Sequence, residues 1–343
     1  MKFRVLYLFG FILCVSACRQ ADTTSDSLPA FRLYHKEIQT PKSWSDLVSS
    51  SFIVSLETKN DGLIGRINKI QADDSIMVIL DKTNQSRVML FGMDGQFIQQ
   101  LSKAGKGPGE YVYPVDFNIV KKRKEIWLID GPSNKLMKYS YSGEYLSSLR
   151  LSFNTRLFSV LEDGGLVCES GSDSLLVITD PTGQPKYAAI RRNPDTHSGL
   201  ERPFDHFQEL VRYHVHQDNS IYIANDMNCK LEWLLDFSPK IELKEITHLI
   251  HFSECQGNIE LHFYREGNPI QKRYIGIFDK NTNQIVTFDI THTKPGIAEF
   301  GFRITGEKYG EYRIGYGQSL VKEENGLNPQ IIFYRYASFP SAN

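Results

Sequence analysis

Apolar and polar residues alternate along this chain in short bursts and not at helical spacing. Asp74 to Leu101 reads DSIMVILDKTNQSRVMLFGMDGQFIQQL. It holds an apolar run ending in Asp81, a polar turn, a second apolar run, a Gly turn and a third. Lys124 to Leu149, KEIWLIDGPSNKLMKYSYSGEYLSSL, repeats that order. Asp81 and Asp130 lie 49 residues apart, and Gly95 and Gly143 lie 48 apart. Asn219 to Ile246 is a third copy, with Asp226 standing 96 residues after Asp130. Gly164 to Ile190 is a weaker copy with its Gly turn at Gly183.

The pieces are hairpins by their own chemistry. Val88 to Phe91 and Leu136 to Tyr139 are residue types that favour extended chain. Asp94-Gly95 and Ser142-Gly143 supply the left-handed conformation of a tight hairpin. The recurring aspartates sit where a short side chain bonds turn amides. One short helix is expected upstream, with Thr40 as cap, Pro41 in the first turn and Trp44, Leu47 and Val48 at helical spacing.

A four-strand unit of about 48 residues is a propeller blade. Phe52 to Tyr336 has room for six such units. The expectation is therefore an all-β chain whose residues 51–343 form a six-bladed β-propeller. Phe52-Ile53-Val54-Ser55-Leu56 has no partner nearby in sequence. It is expected to complete the last blade beside Ile331 to Tyr334, hiding two sheet edges at once. Two β-sandwiches are the alternative, and the shared spacing argues against them. Arg191 to Leu210 does not repeat and reads as a long loop between the third and fourth blades. Beyond Ile246 the pattern fades, and blades five and six rest on length more than on pattern.

Composition narrows the class further. The 343 residues are 41% apolar and 23% charged, which excludes a disordered chain. The formal charge of −1 lacks the basic excess of a duplex-DNA binder, so no nucleic-acid partner is expected. Residues 1–17 read as a signal peptide: Lys2 and Arg4, an apolar stretch from Val5 to Val15, then small residues before Cys18. That stretch is too short to span a bilayer. Val15-Ser16-Ala17-Cys18 looks like a bacterial lipobox, with Cys18 as the lipidated residue. Residues 18–50 would then be lipid anchor, polar tether and short helix, placing the protein at the cell envelope on the outer membrane. Cys168, Cys229 and Cys255 include no CxxC pair, so a zinc cage is not expected.

FIVSLETKNDGLIGRINKI, the strand-Asp unit, MDGQFIQQL and above all Gly105-Lys106-Gly107-Pro108-Gly109-Glu110-Tyr111 resemble the six-bladed β-propeller lipoproteins of Bacteroidota, relatives of the NHL-repeat propellers. The resemblance is good from about Ser51 to Leu151 and poor beyond Ile246. It implies an exported, lipid-anchored propeller and carries over no catalytic residue.

Candidate chemistry is sparse. The Gly-rich stretch 105–111 is no phosphate loop, because Gly107-Pro108 follows Lys106 where a helix would have to open. As a connector between blades one and two it would lie at the channel mouth, which makes Lys106, Glu110 and Tyr111 the first ligand candidates. Tyr113, Tyr213 and Trp233 are stacking candidates for sugar rings, and Arg212 and His214 are further ligand candidates. His214 and His216 share a face of an expected inner strand and are weak metal candidates. Asp116, Asn118, Asp226 and Asn228 could serve a central Ca²⁺ in a lactonase- or lyase-like enzyme. No GxSxG elbow supports a serine triad. The reading is a non-enzymatic binding or scaffold propeller for a glycan, peptide or protein partner, with the Ca²⁺ enzyme as alternative.

Overall fold

A computed structural model describes residues 30–32, 38–39 and 47–337, apart from 84–85, 103, 193–202, 216–218, 237–246, 266–271, 283, 290–301 and 318–327. Strands β1 (Ala30–Arg32), β2 (Ile38–Gln39) and β3 (Val48–Ser55) precede six consecutive groups. Blade 1 is β4 (Lys69–Ala72), β5 (Ile76–Asp81), β6 (Arg87–Gly92) and β7 (Phe97–Gln100). Blade 2 is β8 (Pro114–Val120), β9 (Glu125–Asp130), β10 (Lys135–Ser140) and β11 (Tyr145–Arg150). Blade 3 is β12 (Thr155–Val160), β13 (Leu166–Ser170), β14 (Ser174–Thr179) and β15 (Pro185–Arg191). Blade 4 is β16 (Phe204–Phe207), β17 (Leu210–Val215), β18 (Ser220–Ala224) and β19 (Cys229–Asp236). Blade 5 is β20 (Thr247–Glu254), β21 (Asn258–Arg265), β22 (Lys272–Asp279) and β23 (Gln284–Asp289). Blade 6 takes β24 (Phe302–Tyr309), β25 (Tyr312–Gly317) and β26 (Gln330–Tyr336) from the C-terminal end.

The fourth strand of blade 6 is β3, antiparallel to β26 with Ile331 opposite Val54 and Phe333 opposite Phe52. The ring closes as the sequence predicts, and Phe52 stacks on Phe333 with ring centroids 4.6 Å apart. The protein is an all-β, six-bladed propeller. Among the described residues no helix is long and apolar enough to cross a membrane.

The N-terminal segment does more than the sequence suggests. β1 lies parallel to β19, and β2 lies parallel to β23, so blades 4 and 5 each carry a fifth, outermost strand. Within the expected tether and helix, three stretches are therefore strand. Val48, the last position of the expected helix, opens β3, while residues 40–46 lie outside the described residues. Pairing with an open sheet edge satisfies backbone groups that local propensity leaves unassigned.

Each blade packs both faces against its neighbours, and for that reason the second strands of blades 1 and 2 read as nearly unbroken apolar runs, while those of blades 4 to 6 carry buried charged residues such as Arg212, Glu260 and Arg313. All six residues of β5 are buried. Met77 and Ile79 pack with Ile314, Ile331 and Phe333 of blade 6. Val78 and Leu80 pack with Phe117, Ile126 and Leu128 of blade 2.

The repeated glycines answer to two demands. Gly95, Gly143 and Gly183 have φ of 86°, 79° and 81°. Each turn also abuts the outer strand of the preceding blade. A Cβ on Gly95 would meet the Ser55 carbonyl at 2.1 Å, and one on Gly143 would meet Gln99 at 1.7 Å. Asp81 bonds a turn amide as the sequence predicts, and Asp81 and Asp130 also reach back to the entry segments of blades 1 and 2. Asp81 accepts from the Gly65, Arg66 and Thr83 amides, and Asp130 from the Val112 and Tyr113 amides. In blade 4 the role falls to Asn225, which accepts from the Met227 and Asn228 amides; Asp226 instead pairs with Lys186 at 3.7 Å.

Arg191 to Leu210 is not all loop. β16 falls inside it and is the first strand of blade 4. Cys168, Cys229 and Cys255 are free thiols.

Candidate functional site: the axial cavity

The first strands of the six blades, β4, β8, β12, β16, β20 and β24, surround the axis and carry polar side chains toward it. A cavity of about 630 Å³ lies among them, within the size range of small-molecule sites. Its walls include Lys69, Gln71, Asp116, Asn118, Asp205, His206, Glu254, Glu307 and Lys308, with Phe158, Phe204 and Phe207 as apolar surface. The turns that follow the first strands form its rim and include Lys121–Arg123, Glu162, Gln208, Glu209 and Glu311.

A closed belt of hydrogen bonds links every adjacent pair of first strands. Between blades 1 and 2, Lys69 Nζ donates to Asp116 Oδ1 at 2.8 Å, and the Ile119 amide donates to Gln71 Oε1 at 2.8 Å. Between blades 2 and 3, Asp116 Oδ2 accepts from the Phe158 amide at 3.0 Å, and Asn118 Nδ2 donates to the Phe158 carbonyl at 2.8 Å. Ser159 Oγ and His206 Nε2 join blades 3 and 4. Asp205 Oδ2 accepts from the Glu254 amide at 3.1 Å, joining blades 4 and 5. Lys308 Nζ reaches the Glu254 carbonyl at 2.6 Å and Asp205 Oδ1 at 2.8 Å, tying blade 6 to both. Gln71 Nε2 donates to Glu307 Oε2 at 3.3 Å and completes the circuit.

Backbone irregularity helps to place these groups. Neighbours in a regular strand face opposite ways, yet Glu307 and Lys308 both reach the cavity. The register of β24 against β25 shifts between Ile304 and Lys308, and Gly306 there has φ of 76°. A Cβ at Gly306 would strike the His251 ring at 2.5 Å.

Electrostatics sharpen the description. Burial pushes the His206 imidazole down to about 4, with Asp205 opposing and Lys308 and Lys69 assisting, so it is neutral at neutral pH. Burial works to raise the Asp205 carboxyl, but the Lys308 ammonium and the Glu254 amide outweigh it and hold it below its ordinary value. Glu254 also pairs with Arg212 Nη1 at 2.6 Å and with Lys280. Lys122 bridges Glu162 and Glu209 across the rim.

A second buried polar cluster lies between blades 5 and 6, away from the cavity walls. Arg313 Nε meets Glu260 Oε2 at 2.7 Å, while Tyr336 Oη and His262 reach Glu260 Oε1. Burial opposes ionisation of Glu260, yet His262, Arg313 and His251 together hold it well below the usual carboxylate range.

Residues 32–326 match the model of a family described as a domain of unknown function, DUF4934. The chain belongs to that family. No curated protein matches it. Among solved structures it is similar to a candidate exported protein of Bacteroides fragilis, at 20% identity and a TM-score of 0.71, over 90% of this chain and 99% of that one. It is also similar to a DUF4221 family member from Bacteroides vulgatus, at 8% identity and a TM-score of 0.58, over 85% and 97% of the two chains. At these identities the likeness shows the fold.

The ligand candidates read from the sequence do not line the cavity. The 105–111 segment does connect β7 to β8, but it enters β8 at the end opposite the Lys121–Arg123 rim. Lys106 and Glu110 are exposed, with Glu110 accepting from the Gly107 amide at 2.9 Å. Tyr111 is fully buried, its hydroxyl receiving the Val88 amide at 3.3 Å; it packs the interface of blades 1 and 2 and offers no stacking surface. Tyr113 is exposed beside that connector, and Tyr213 is core. Arg212 is buried between Glu232, Glu254 and the Trp233 ring, so its charge is spent on joining blades 4 and 5.

His214 lies on the second strand of blade 4, not the inner one, and its Nε2 sits 3.3 Å from the Leu249 carbonyl. His216 lies outside the described residues, as does Cys18. Of the Ca²⁺ candidates, Asp116 and Asn118 face the axis but are engaged in the belt. Asp226 and Asn228 lie at the β18–β19 turn, so the four do not converge. Among the described residues no group of three His, Cys, Asp or Glu side chains is placed to hold a metal ion.

Proposed function

We propose that this protein is an exported, lipid-anchored binding propeller that takes the end of a polar chain, peptide or glycan, into its axial cavity without transforming it. The cavity is the observation that carries this reading: a half-enclosed volume of about 630 Å³, with apolar surface between charged side chains that largely neutralise one another. Such pre-paired walls keep their geometry with or without ligand, which suits recognition. His206 is held neutral, and Asp116 and Asp205 are engaged in the belt, which favours binding over acid–base chemistry at these three residues. Export is supported by the signal-like N-terminus and by the name of the Bacteroides fragilis relative. Lipidation at Cys18 rests on the Val15–Cys18 lipobox.

Two experiments test the reading. Glu162→Trp with Gln208→Trp crowds the rim at exposed positions and should abolish capture of ligands from a glycan and peptide array at unchanged thermal stability. Undiminished capture would move the site off the axis. Cys18→Ala should release the protein from the membrane fraction of the expressing cells, and membrane retention would overturn the anchor.

A further inference from the structure

We propose that the ligand group received by the cavity is the ammonium of a peptide amino terminus, bound by Glu307; this rests on the axial-cavity reading above. The argument is one of charge and hydrogen-bond capacity. Lys69 is answered by Asp116 and Lys308 by Asp205, both at 2.8 Å. Glu254 is answered by Arg212 and Lys280. Glu307 stands apart. It lines the same cavity and accepts from the neutral Gln71 amide at 3.3 Å, but it makes no ion pair among the described residues. A half-buried carboxylate with no counter-charge in a partly enclosed site is a sink for a cation.

The rest of the spare capacity selects what adjoins that cation. Lys69 uses one of its three donor hydrogens on Asp116, and Lys308 uses two, on Asp205 and the Glu254 carbonyl. The amides of Gln71 and Asn118 are committed to the belt. Within its walls the cavity thus offers one carboxylate without an ion pair among the described residues, Glu307, beside lysine donors; at the rim Glu311 also makes none and accepts from the Gln256 amide at 3.1 Å. A peptide amino terminus fits this pattern: an ammonium for Glu307 and, next to it, a backbone carbonyl to accept from the spare lysine hydrogens. A carbonyl oxygen is a stronger acceptor than the hydroxyls flanking the ammonium of an amino sugar, so the lysine donors favour the peptide.

The test uses the purified chain with a library of tripeptides bearing free amino termini, the same library N-acetylated, and glucosamine. Free-amine peptides should bind about tenfold or more tightly than their acetylated forms, the scale of one charge-assisted hydrogen bond. Affinity should fall as pH rises through the α-amino pKa of about 8. Glu307→Gln, which keeps size and the contact with Gln71, should erase the preference without changing thermal stability. Equal binding of free and acetylated peptides, or an unchanged preference in Glu307→Gln, overturns the proposal. Glu307-dependent binding of glucosamine in place of peptides overturns the peptide assignment in favour of an amino sugar. If arrayed ligands are lost on crowding the rim yet show no preference for an ammonium, the Glu307 assignment fails and the cavity reading stands. If crowding the rim changes nothing, the cavity reading itself falls.

Discussion

His206 shows how one residue can report on the whole axis. Its imidazole touches Ser159 and is faced by Asp205, Lys308 and Lys69. A folded pKa of about 4 against an unfolded 6.5 means that the unfolded chain binds the extra proton first as pH falls. This contribution to stability is complete above about pH 6.5 and is lost progressively toward pH 4, on the order of 2–3 kcal/mol over that window. Replacing His206→Asn should flatten the urea-midpoint profile between those pH values, whereas an unchanged slope would assign the loss to other groups. Asp130 works at the same scale. Asp130→Ala frees the Val112 and Tyr113 amides and the Ser133 hydroxyl, and should cost about 2 kcal/mol by thermal denaturation. That an aspartate recurs at this turn was legible from the repeat, and its contact with the Ser133 hydroxyl is the local one; its hold on the Val112 and Tyr113 amides, 18 and 17 residues upstream, was not. Nor was the burial of Tyr111, since a tyrosine beside a Gly-rich connector reads alike whether it turns outward or inward, and only the interface of two blades decides.

Strands divide by what they face. β3 was legible because its partner, β26, needs an apolar stripe, and the alternation survives in the structure: Val54 is 8% exposed and Ile53 50%. Val54→Asp places a charge between blades 6 and 1 and should cost about 3 kcal/mol or more, while Ile53→Asp should stay within about 0.5 kcal/mol. Equal urea midpoints for the two variants would contradict the register. β16 was hidden for the opposite reason. A strand on the axis shows polar groups to the cavity, so Phe204-Asp205-His206-Phe207 has the composition of a loop. The same logic hid Glu307 and Lys308, whose shared direction depends on a bulge that no periodicity announces. The axial cavity is thus the part of this propeller that hydrophobic patterning represents worst.

For the whole molecule, blades 5 and 6 rested on length because their interface is partly ionic. Arg313 and Glu260 are both buried there and leave no apolar repeat to read. Arg313→Met removes one of the two charged partners of the Glu260 carboxylate, leaving His262 and the Tyr336 hydroxyl, and should lower stability by about 3 kcal/mol in urea titration, with Glu260→Gln on that background recovering part of the loss. No recovery would mean that packing, not charge, holds this seam.

The clasp also has a consequence in time. Ser55 meets Gln330 and Val48 meets Tyr336, so the joint unites residues 275 to 288 positions apart. During synthesis the N-terminal half of that joint must wait, with its hydrogen-bonding groups bare, until Gln330 to Tyr336 have been made. A product stopped before Gln330 would keep that strand unmatched and its neighbour's side uncovered, and would present sticky β-surface to anything nearby. Closure is therefore its own quality check: only a copy that has reached Tyr336 can lock.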